Sequence, residues 1–431
     1  MREVVIVGKA RTAIGRFQGA LSAKTAPQLG AVAIAGALKN AGVSSEDVDE
    51  VIMGEVLSAG VGQAPARQAA LYAGLPTKTP CMTINKVCGS GLKAVMLARQ
   101  SIALGQANVV VAGGMESMSN APYLLPTARD GMRMGHGKAL DSMIHDGLWD
   151  PYGDAHMGGF GDSCAKELDI TRDAQDTFAK ESYERAQQAQ ADGSFDNEIV
   201  PVEIKTRKGV TVVDKDEEPP LYRPEKMGDL RPAFGKEGSV TAANASKIND
   251  GAAALILMSR EEAEKRGCTI LASLVSDGTF AQDPAWFTTA PVGAMKNALE
   301  AANMSANDID CFEINEAFSM VAMAAIRELE LDRNKVNCWG GAVSLGHPIG
   351  CSGARILVTL LSVMEKDNLK ELLLEADKFY PAHTRQAINW VTMKQHLPLY
   401  PKQMEKLVGK QQVNSLSTKD LRNLFSIDFL S

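Results

Sequence analysis

The chain has 431 residues, of which 45% are hydrophobic and 23% charged, a composition typical of a globular protein with a large buried core. Its formal net charge of −7 argues against general binding to nucleic acid or to an anionic membrane surface. The seven cysteines and six histidines show neither Cys-x-x-Cys spacing nor a cluster of metal ligands, so we expect reduced thiols, no metal site and an intracellular protein.

The N-terminal segment predicts a buried strand. Residues 4–7 are Val-Val-Ile-Val, and a β-branched run of this kind favours β-structure. Because the strand pattern begins so close to Met1, we expect no signal or transit peptide. No apolar run approaches the length that spans a bilayer, and we expect a cytoplasmic location.

An internal repeat indicates a duplicated fold. Residues 37–58 align without a gap to residues 298–319, and each copy predicts a helix, a short polar connection and a strand. Close to the same register, Ser-Gly-Leu-Lys at 90–93 aligns with Ser-Gly-Ala-Arg at 352–355. The identical pairs in the long alignment are Ala37 and Ala298, Leu38 and Leu299, Ala41 and Ala302, Ser44 and Ser305, Asp47 and Asp308, Asp49 and Asp310, Glu55 and Glu316, and Ser58 and Ser319. This pattern predicts an α/β protein with two similar layered βαβ halves that are related by a pseudo-twofold axis.

Cys88 is the first candidate for chemistry. It lies in the turn Asn-Lys-Val-Cys-Gly-Ser-Gly, which leads into an apolar helical pattern that begins at Leu92. A thiol at a helix start meets the positive end of the helix dipole and unpaired N–H groups, so we expect a lowered thiol pKa and a nucleophile. The alternative interpretation is a small core residue beside glycine.

Residues 119–241 have no counterpart in the second half of the chain. They are rich in Met, Gly and charged residues, and residues 172–190 show an amphipathic helical pattern. We interpret this stretch as an inserted loop domain that covers a ligand. The apolar and glycine-rich run that begins with His156 and Met157 favours this interpretation over a solvated excursion without function.

Asn315 ends the predicted strand of the second copy. An amide at this place can hold a water or donate to a developing oxyanion, although a helix N-cap is an equally good interpretation. The next residue, Glu316, is the repeat mate of Glu55. Equivalent acids in both copies favour a structural role for Glu316.

A glycine-rich segment at residues 340–353 carries His347. Pro348 restricts His347 to an extended conformation, and a histidine fixed in this way can accept a proton from a thiol. A turn histidine without a chemical role is the plainer interpretation. The segment matches neither the phosphate-loop pattern nor Gly-x-Gly-x-x-Gly.

Four segments together resemble the signature segments of the thiolases, in family order and spacing over residues 1–370. They are Val87-Cys88-Gly89-Ser90-Gly91, Val240-Thr241-Ala242-Ala243-Asn244-Ala245-Ser246, Asn315-Glu316-Ala317-Phe318 and Gly346-His347-Pro348-Ile349-Gly350. Within the family, the chain is most similar to the acetoacetyl-CoA-forming branch, the acetyl-CoA acetyltransferases. The resemblance implies the thiolase fold with its inserted loop domain, a homodimer or homotetramer, and coenzyme A thioesters as substrates without a permanently bound cofactor.

The resemblance also implies roles for the three candidate catalytic residues. Cys88 would take the acyl group from acyl-CoA as a thioester, and His347 would activate its thiol. Asn315 would position the oxyanion-hole water together with His347. The implied reaction interconverts two molecules of acetyl-CoA with acetoacetyl-CoA and CoA.

Four further residues are candidates for contacts with the substrate on the same ground. His156 and Met157 match the segment beside the acyl pocket in the short-chain branch of the family. Ser246 would contact the pantetheine arm of coenzyme A, and Arg223 would face the nucleotide phosphate.

The C-terminal part departs from the family. The repeat register pairs the predicted strand at 108–117 with residues 370–379, whose spacing suits a helix better. Thiolases carry a Cys-x-Gly strand there, and its cysteine removes the α-proton of the second acetyl-CoA. No cysteine follows Cys351 in this chain. We therefore expect acyl transfer to Cys88 to survive, carbon–carbon bond formation to be severely impaired, and the second half to lose stability because a core strand is missing.

The predicted domains follow from the repeat and from this departure. We expect an N-terminal thiolase domain at residues 1–268 with the loop domain inserted at about 119–241, and a truncated C-terminal thiolase domain at residues 269–370. Residues 371–431 form a tail that looks unrelated to the family.

Two other functions stay open. A 3-ketoacyl-CoA thiolase for longer chains is disfavoured by His156 and Met157. A non-catalytic CoA-binding or assembly subunit is favoured by the missing cysteine, whereas the retained Cys88, Asn315 and His347 argue against it. A decarboxylating ketoacyl synthase is a poor fit because only one suitably placed histidine follows the nucleophile.

Overall fold

The computed structural model describes residues 1–207 and 209–366 as a mixed α/β fold. The strands are β1 Val4–Arg11, β2 Gly15–Arg16, β3 Glu50–Gly54, β4 Cys81–Ile84, β5 Val109–Ser117, β6 Tyr123–Leu124, β7 Leu140–Asp141, β8 Trp149–Asp150, β9 Ala155–His156, β10 Val202–Thr206, β11 Gly209–Val213, β12 Asn249–Ser259 and β13 Ala272–Ser273. The α-helices are α1 Ala26–Ala41, α2 Pro65–Tyr72, α3 Ser90–Ala103, α4 Met157–Glu167, α5 Arg172–Ala191, α6 Pro224–Met227, α7 Arg260–Arg266, α8 Ala290–Ala302, α9 Ser319–Glu328, α10 Ala342–Leu345 and α11 Ile349–Lys366. None of these helices is long and apolar enough to cross a membrane.

The main sheet has the strand order β13-β1-β12-β5-β3-β4, and β2 pairs with the start of β12. The pairs β1–β12 and β12–β5 are antiparallel, whereas β3 runs parallel to both β4 and β5. β1, β5 and β12 are buried along their whole length. Strands buried on both faces require helices on both sides, which is the predicted fold class.

Alternate residues of β1 pack into two different cores because successive side chains of a strand point to opposite faces. Val5 and Val7 belong to the core cluster that includes α1 and α2. Val4 and Ile6 belong to the cluster that includes α3 and α11. Helices α3 and α11 therefore lie on one face of the main sheet, and they carry Ser90 and Ser352 of the predicted short repeat in their first turns.

The two copies of the long repeat share the helix and the turn that follows it, but not the strand. Helix α1 of the first copy corresponds to helix α8 of the second. The 3-10 turns that follow these helices, Ser45–Asp47 and Ala306–Asp308, are separated by the same number of residues as the aligned positions 37 and 298. The predicted strand before Asn315 differs from β3, because among residues 1–207 and 209–366 it forms only an isolated bridge between Phe312 and Val336.

The physical reason is that a strand needs hydrogen-bonding neighbours to form a ladder. β3 lies between β4 and β5 and pairs with both. The segment that the repeat register makes equivalent to β5 is residues 370–379. These residues lie outside the described part of the chain, as does the predicted tail at 371–431.

The stretch between β5 and β12 contains three small hairpins and helices α4 and α5. Helix α5 confirms the helix predicted at 172–190. The stretch is tied to β1 by Arg11, whose buried guanidinium contacts Glu198 at 2.6 Å and the two oxygens of Asp216 at 2.7 and 2.9 Å. Its extent as a separate loop domain, like the other predicted domain boundaries, stays a prediction.

Candidate active site

Cys88 lies in the tight turn between β4 and α3. The backbone N–H of Val87 donates to Asn85 Oδ1 at 2.9 Å, and the hydroxyl of Ser90 donates to the Val87 carbonyl at 2.6 Å while it accepts from Lys86 N at 2.8 Å. Val87 has a φ of 47°, which is unfavourable for a β-branched residue. The hydrogen bonds hold this turn and present the half-buried Cys88 next to the start of α3.

His347 lies between α10 and α11, and its ring nitrogens can be assigned from their partners. Nδ1 is 2.6 Å from Ser352 Oγ, which is also 2.9 Å from the Pro348 carbonyl oxygen. Because the carbonyl can only accept, the single hydroxyl hydrogen of Ser352 points to it, and Oγ accepts from Nδ1–H. In a neutral imidazole Nε2 is then the unprotonated nitrogen.

The structure brings together the three residues predicted to act as a unit. His347 Nε2 lies 3.1 Å from Cys88 Sγ and 3.5 Å from Asn315 Nδ2. The Cys88 thiol donates to Nε2, which is the arrangement needed for a histidine to take the thiol proton. A general base must lie within hydrogen-bond reach of the proton that it removes, and this pair satisfies that condition.

The electrostatics of the pair correct one prediction. Burial raises the pKa of the Cys88 thiol to about 12, and the Glu116 carboxylate adds to this effect. Burial, together with the Arg355 charge, lowers the pKa of His347 to about 3. The expected lowered thiol pKa at a helix start is wrong, because the loss of solvation outweighs the backbone hydrogen bond that favours the thiolate. The resting site therefore holds a neutral thiol and a neutral imidazole.

Glu316 is structural, as predicted, whereas its repeat mate has a different environment. The buried Glu316 carboxylate accepts from Ser182 Oγ at 2.8 Å, Asn337 Nδ2 at 2.8 Å and Val343 N at 3.2 Å. Neither carboxylate oxygen of Glu55 has a hydrogen-bond partner among the described residues. Burial, and then the nearby Glu116, raise the pKa of Glu55 to about 8.

His156 and Met157 lie at the start of α4. His156 Nδ1 accepts from the second backbone N–H of the helix at 3.1 Å, and its ring stacks on Phe234 with a centroid distance of 4.6 Å. Phe234 makes an edge contact with Phe318 at 6.1 Å. Since Phe318 follows three residues after Asn315, two aromatic rings connect His156 to the segment that carries the amide.

Of the two residues predicted to contact coenzyme A, Ser246 lies near the candidate catalytic residues, whereas Arg223 has no contact with them among the described residues. Ser246 is close to the catalytic segment, because its backbone N–H donates to the Ala317 carbonyl at 3.0 Å. Arg223 is exposed, and its guanidinium donates to the carbonyls of Pro220 at 3.2 Å and Tyr222 at 3.0 Å. Within the described residues, no recorded contact joins Arg223 to the site of Cys88.

Two residues that hold His347 are absent from the sequence-based predictions. Ser352 lies about one helical turn after Pro348 and belongs to the short sequence repeat at 352–355. This spacing could have predicted Ser352 as a hydrogen-bond partner of the His347 ring. Asn249 Oδ1 accepts from His347 N at 2.9 Å across 98 residues of sequence. No local spacing indicates a contact of that length.

Comparisons with known proteins agree with the geometry. The family models described as thiolase N-terminal domain and thiolase C-terminal domain match residues 4–261 and 268–375. An acetyl-CoA acetyltransferase of Cupriavidus necator is 54% identical over 375 residues, which cover 86% of this chain and 95% of that protein. Acetyl-CoA acetyltransferase 2 of Arabidopsis thaliana is 53% identical over 372 residues, 86% of this chain and 92% of its own. An acetyl-CoA acetyltransferase of Saccharomyces cerevisiae is 52% identical over 375 residues, 86% and 94% respectively.

Proposed function

The chain belongs to the thiolase family, and we propose that it is an acyltransferase that interconverts two acetyl-CoA with acetoacetyl-CoA and CoA through a thioester on Cys88. The observation that carries the proposal is the 3.1 Å contact between Cys88 Sγ and His347 Nε2. The relatives support the proposed substrate, because they are named acetyl-CoA acetyltransferases and are similar to this chain over most of its length.

In the first half-reaction, His347 Nε2 takes the thiol proton while Cys88 Sγ attacks the carbonyl carbon of acetyl-CoA. The new S–C bond gives a tetrahedral oxyanion, which collapses when the bond to the CoA sulfur breaks. The CoA thiolate leaves with the proton that His347 holds. Asn315 Nδ2, which lies 3.5 Å from His347 Nε2, is placed to orient a hydrogen-bond donor toward the oxyanion.

The second half-reaction needs a base for the α-proton of the second acetyl-CoA. Other thiolases use a cysteine that follows the Gly-His-Pro segment, and this sequence has no cysteine after Cys351. Cys351 cannot replace it, because it is 1% exposed in the core and burial raises the pKa of its thiol to about 12. We therefore propose that carbon–carbon bond formation is much slower than acyl transfer.

The test is incubation of the purified full chain with radiolabelled acetyl-CoA. We expect one acetyl group on Cys88 by intact mass and peptide mapping, with little acetoacetyl-CoA. The C88A variant removes the adduct, whereas C268S, which changes a half-buried cysteine with no role in the proposal, keeps it. A folded wild-type chain without an adduct would support the non-catalytic alternative, and acetoacetyl-CoA formation as fast as acylation would refute the slow second step.

The remaining functional proposals concern chain length, location and assembly. The aromatic stack of His156 on Phe234 supports short acyl groups, which a series of acyl-CoA chain lengths tests. We keep Ser246 and Arg223 as proposed contacts for the pantetheine arm and the nucleotide phosphate. The seven cysteines, which show no regular disulfide framework in the sequence, support a cytoplasmic location. The position of β4 at the end of the strand order of the described residues supports a homodimer or homotetramer, which native mass spectrometry tests.

A further inference from the structure

Asn249 is the first residue of β12, and its side chain is fully buried with each end in a hydrogen bond. Oδ1 accepts from His347 N at 2.9 Å. Nδ2 donates to the Gly15 carbonyl at 3.1 Å and to Glu218 Oε1 at 3.0 Å. We propose that Asn249 is a positioning residue that sets the place of His347 relative to Cys88, an inference that rests on the proposed acyl transfer.

The backbone before His347 is shaped around the same side chain. Gly346 has a φ of 107°, in a region that favours glycine. A Cβ at Gly346 would lie 2.5 Å from Cγ of Asn249. Asn249 thus contacts two consecutive positions, one by close packing and one by a hydrogen bond, so the backbone that leads into the imidazole has little freedom to shift.

Glu218 fixes which way the amide of Asn249 points. A carboxylate accepts and does not donate, so the amide nitrogen must face Glu218 and the Gly15 carbonyl. The carbonyl oxygen of Asn249 is then directed to the N–H of His347. An asparagine meets both requirements, whereas an aspartate at this position would place a second carboxylate against Glu218.

The ring of His347 is held by a residue of α11. Ser352 accepts from Nδ1 at 2.6 Å, while Asn249 holds the backbone N–H. These two attachments belong to β12 and α11, which pack together in the same core cluster. Among the described residues, the hydrogen bonds of Asn249 go to the His347 backbone, Gly15 and Glu218 and not to the thiol or the imidazole, so its effect on Cys88 passes through the position of His347.

The test compares wild type, N249D, E218Q, the double variant N249D/E218Q and H347A. We expect N249D to slow acetylation of Cys88 by about 10- to 100-fold, because a shift on the order of 1 Å in a catalytic group has a cost of this size. The KM for acetyl-CoA should stay near the wild-type value, because Asn249 is not among the residues proposed to contact coenzyme A. E218Q should cause a smaller loss. The double variant should recover part of the rate, because the glutamine amide that E218Q introduces can donate to the new carboxylate, whereas the Gly15 carbonyl stays without its donor.

A second measurement distinguishes an effect of Asn249 on the position of His347 from a general loss of stability. It also tests the inference independently of the proposed acyl transfer. Alkylation of Cys88 by iodoacetamide, followed against pH, reports assistance by His347 without acetyl-CoA. We expect the N249D profile to move toward that of H347A and the double variant to return toward wild type. Wild-type acetylation in N249D, a wild-type alkylation profile in N249D, or a folded double variant that reacts like H347A would each overturn the inference. A wild-type chain that is alkylated with help from His347 but never acetylated would instead refute the proposed function.

Discussion

Gly91 of α3 and Gly353 of α11 pack against each other's helices with no room for a side chain. A Cβ on Gly91 would lie 2.6 Å from Ala354 N, and a Cβ on Gly353 would overlap Leu92 N. The contacts are reciprocal, as a pseudo-twofold axis requires. The short sequence repeat is therefore the place where the two helices meet, and Cys88 and His347 lie just before the two helix starts at this contact.

The first prediction concerns this close approach of the two helices. G91A and G353A should each lower the free energy of unfolding by about 1–3 kcal/mol, because a methyl group added to a filled contact forces the backbone apart. The control is G159A in α4, where nothing lies within 4 Å of an added Cβ. It should raise stability by about 0.5–1 kcal/mol, since alanine is the better helix former. Urea unfolding measures all three variants, and equal effects at the three glycines would contradict the close packing.

The second prediction concerns the pH dependence of acylation. Because the pKa of His347 is lowered to about 3, its imidazole stays neutral, and able to accept a proton, at every pH above that value. The initial rate of Cys88 acetylation should therefore remain flat from about pH 7 to about pH 5, whereas a histidine of ordinary pKa near 6.5 would lose most of its base form over this range. Quenched-flow mass spectrometry measures the rate. A decline with a midpoint near 6.5 would show that His347 is not held in the proposed environment.

The third prediction concerns the tautomer of His347. S352A removes the acceptor for Nδ1–H, and we expect acetylation of Cys88 to slow by about 10- to 100-fold, the kinetic equivalent of leaving one buried donor unpaired. S163A is the control, because the exposed Ser163 hydroxyl on α4 donates to the Gly159 carbonyl at 3.1 Å and is not part of the hydrogen bonds described for Cys88 and His347. If S352A and S163A react equally fast, Ser352 does not set the protonation of the ring.

The fourth prediction concerns Glu55. Its pKa is raised to about 8 in the fold from an ordinary 4.5, so the unfolded chain loses this proton at a lower pH than the folded chain does. Stability should therefore fall as pH rises from about 4.5 to about 8, by an amount on the order of 4 kcal/mol from this group. E55Q should flatten that part of the curve and be more stable than wild type at pH 8. Unfolding curves at several pH values decide this, and an E55Q curve parallel to wild type would refute it.

The fifth prediction concerns the ion pairs of Arg11. R11M leaves Asp216 and Glu198 buried without their cation and should cost about 3–5 kcal/mol of unfolding free energy. The control is K78M, which breaks the exposed pair of Lys78 with Glu46 at 3.1 Å and should cost less than about 1 kcal/mol. Similar losses in both variants would mean that the Arg11 cluster contributes no more than a surface pair.

The three candidate catalytic residues, Cys88, Asn315 and His347, could be predicted because each lies in a short segment that resembles a thiolase signature segment. The helix after Cys88 and the helix at 172–190 could be predicted for a similar reason, since periodicity is local. The direction of the Cys88 pKa shift could not be predicted, because burial depends on helices and strands distant in the chain. The contact from Asn249 to His347 could not be predicted, because the two residues are 98 positions apart and no short motif joins them. The predicted strand before Asn315 needs neighbouring strands, and its own residues do not show whether such neighbours exist.

The thiol and its base are 259 residues apart in the chain, and this distance has a consequence for synthesis on the ribosome. The nucleophile is translated and can begin to fold long before its proton acceptor has been made. Until synthesis has passed residue 347, the Cys88 sulfur cannot have this partner. The proposed assistance of His347 in acyl transfer therefore begins only when most of the polypeptide has been made.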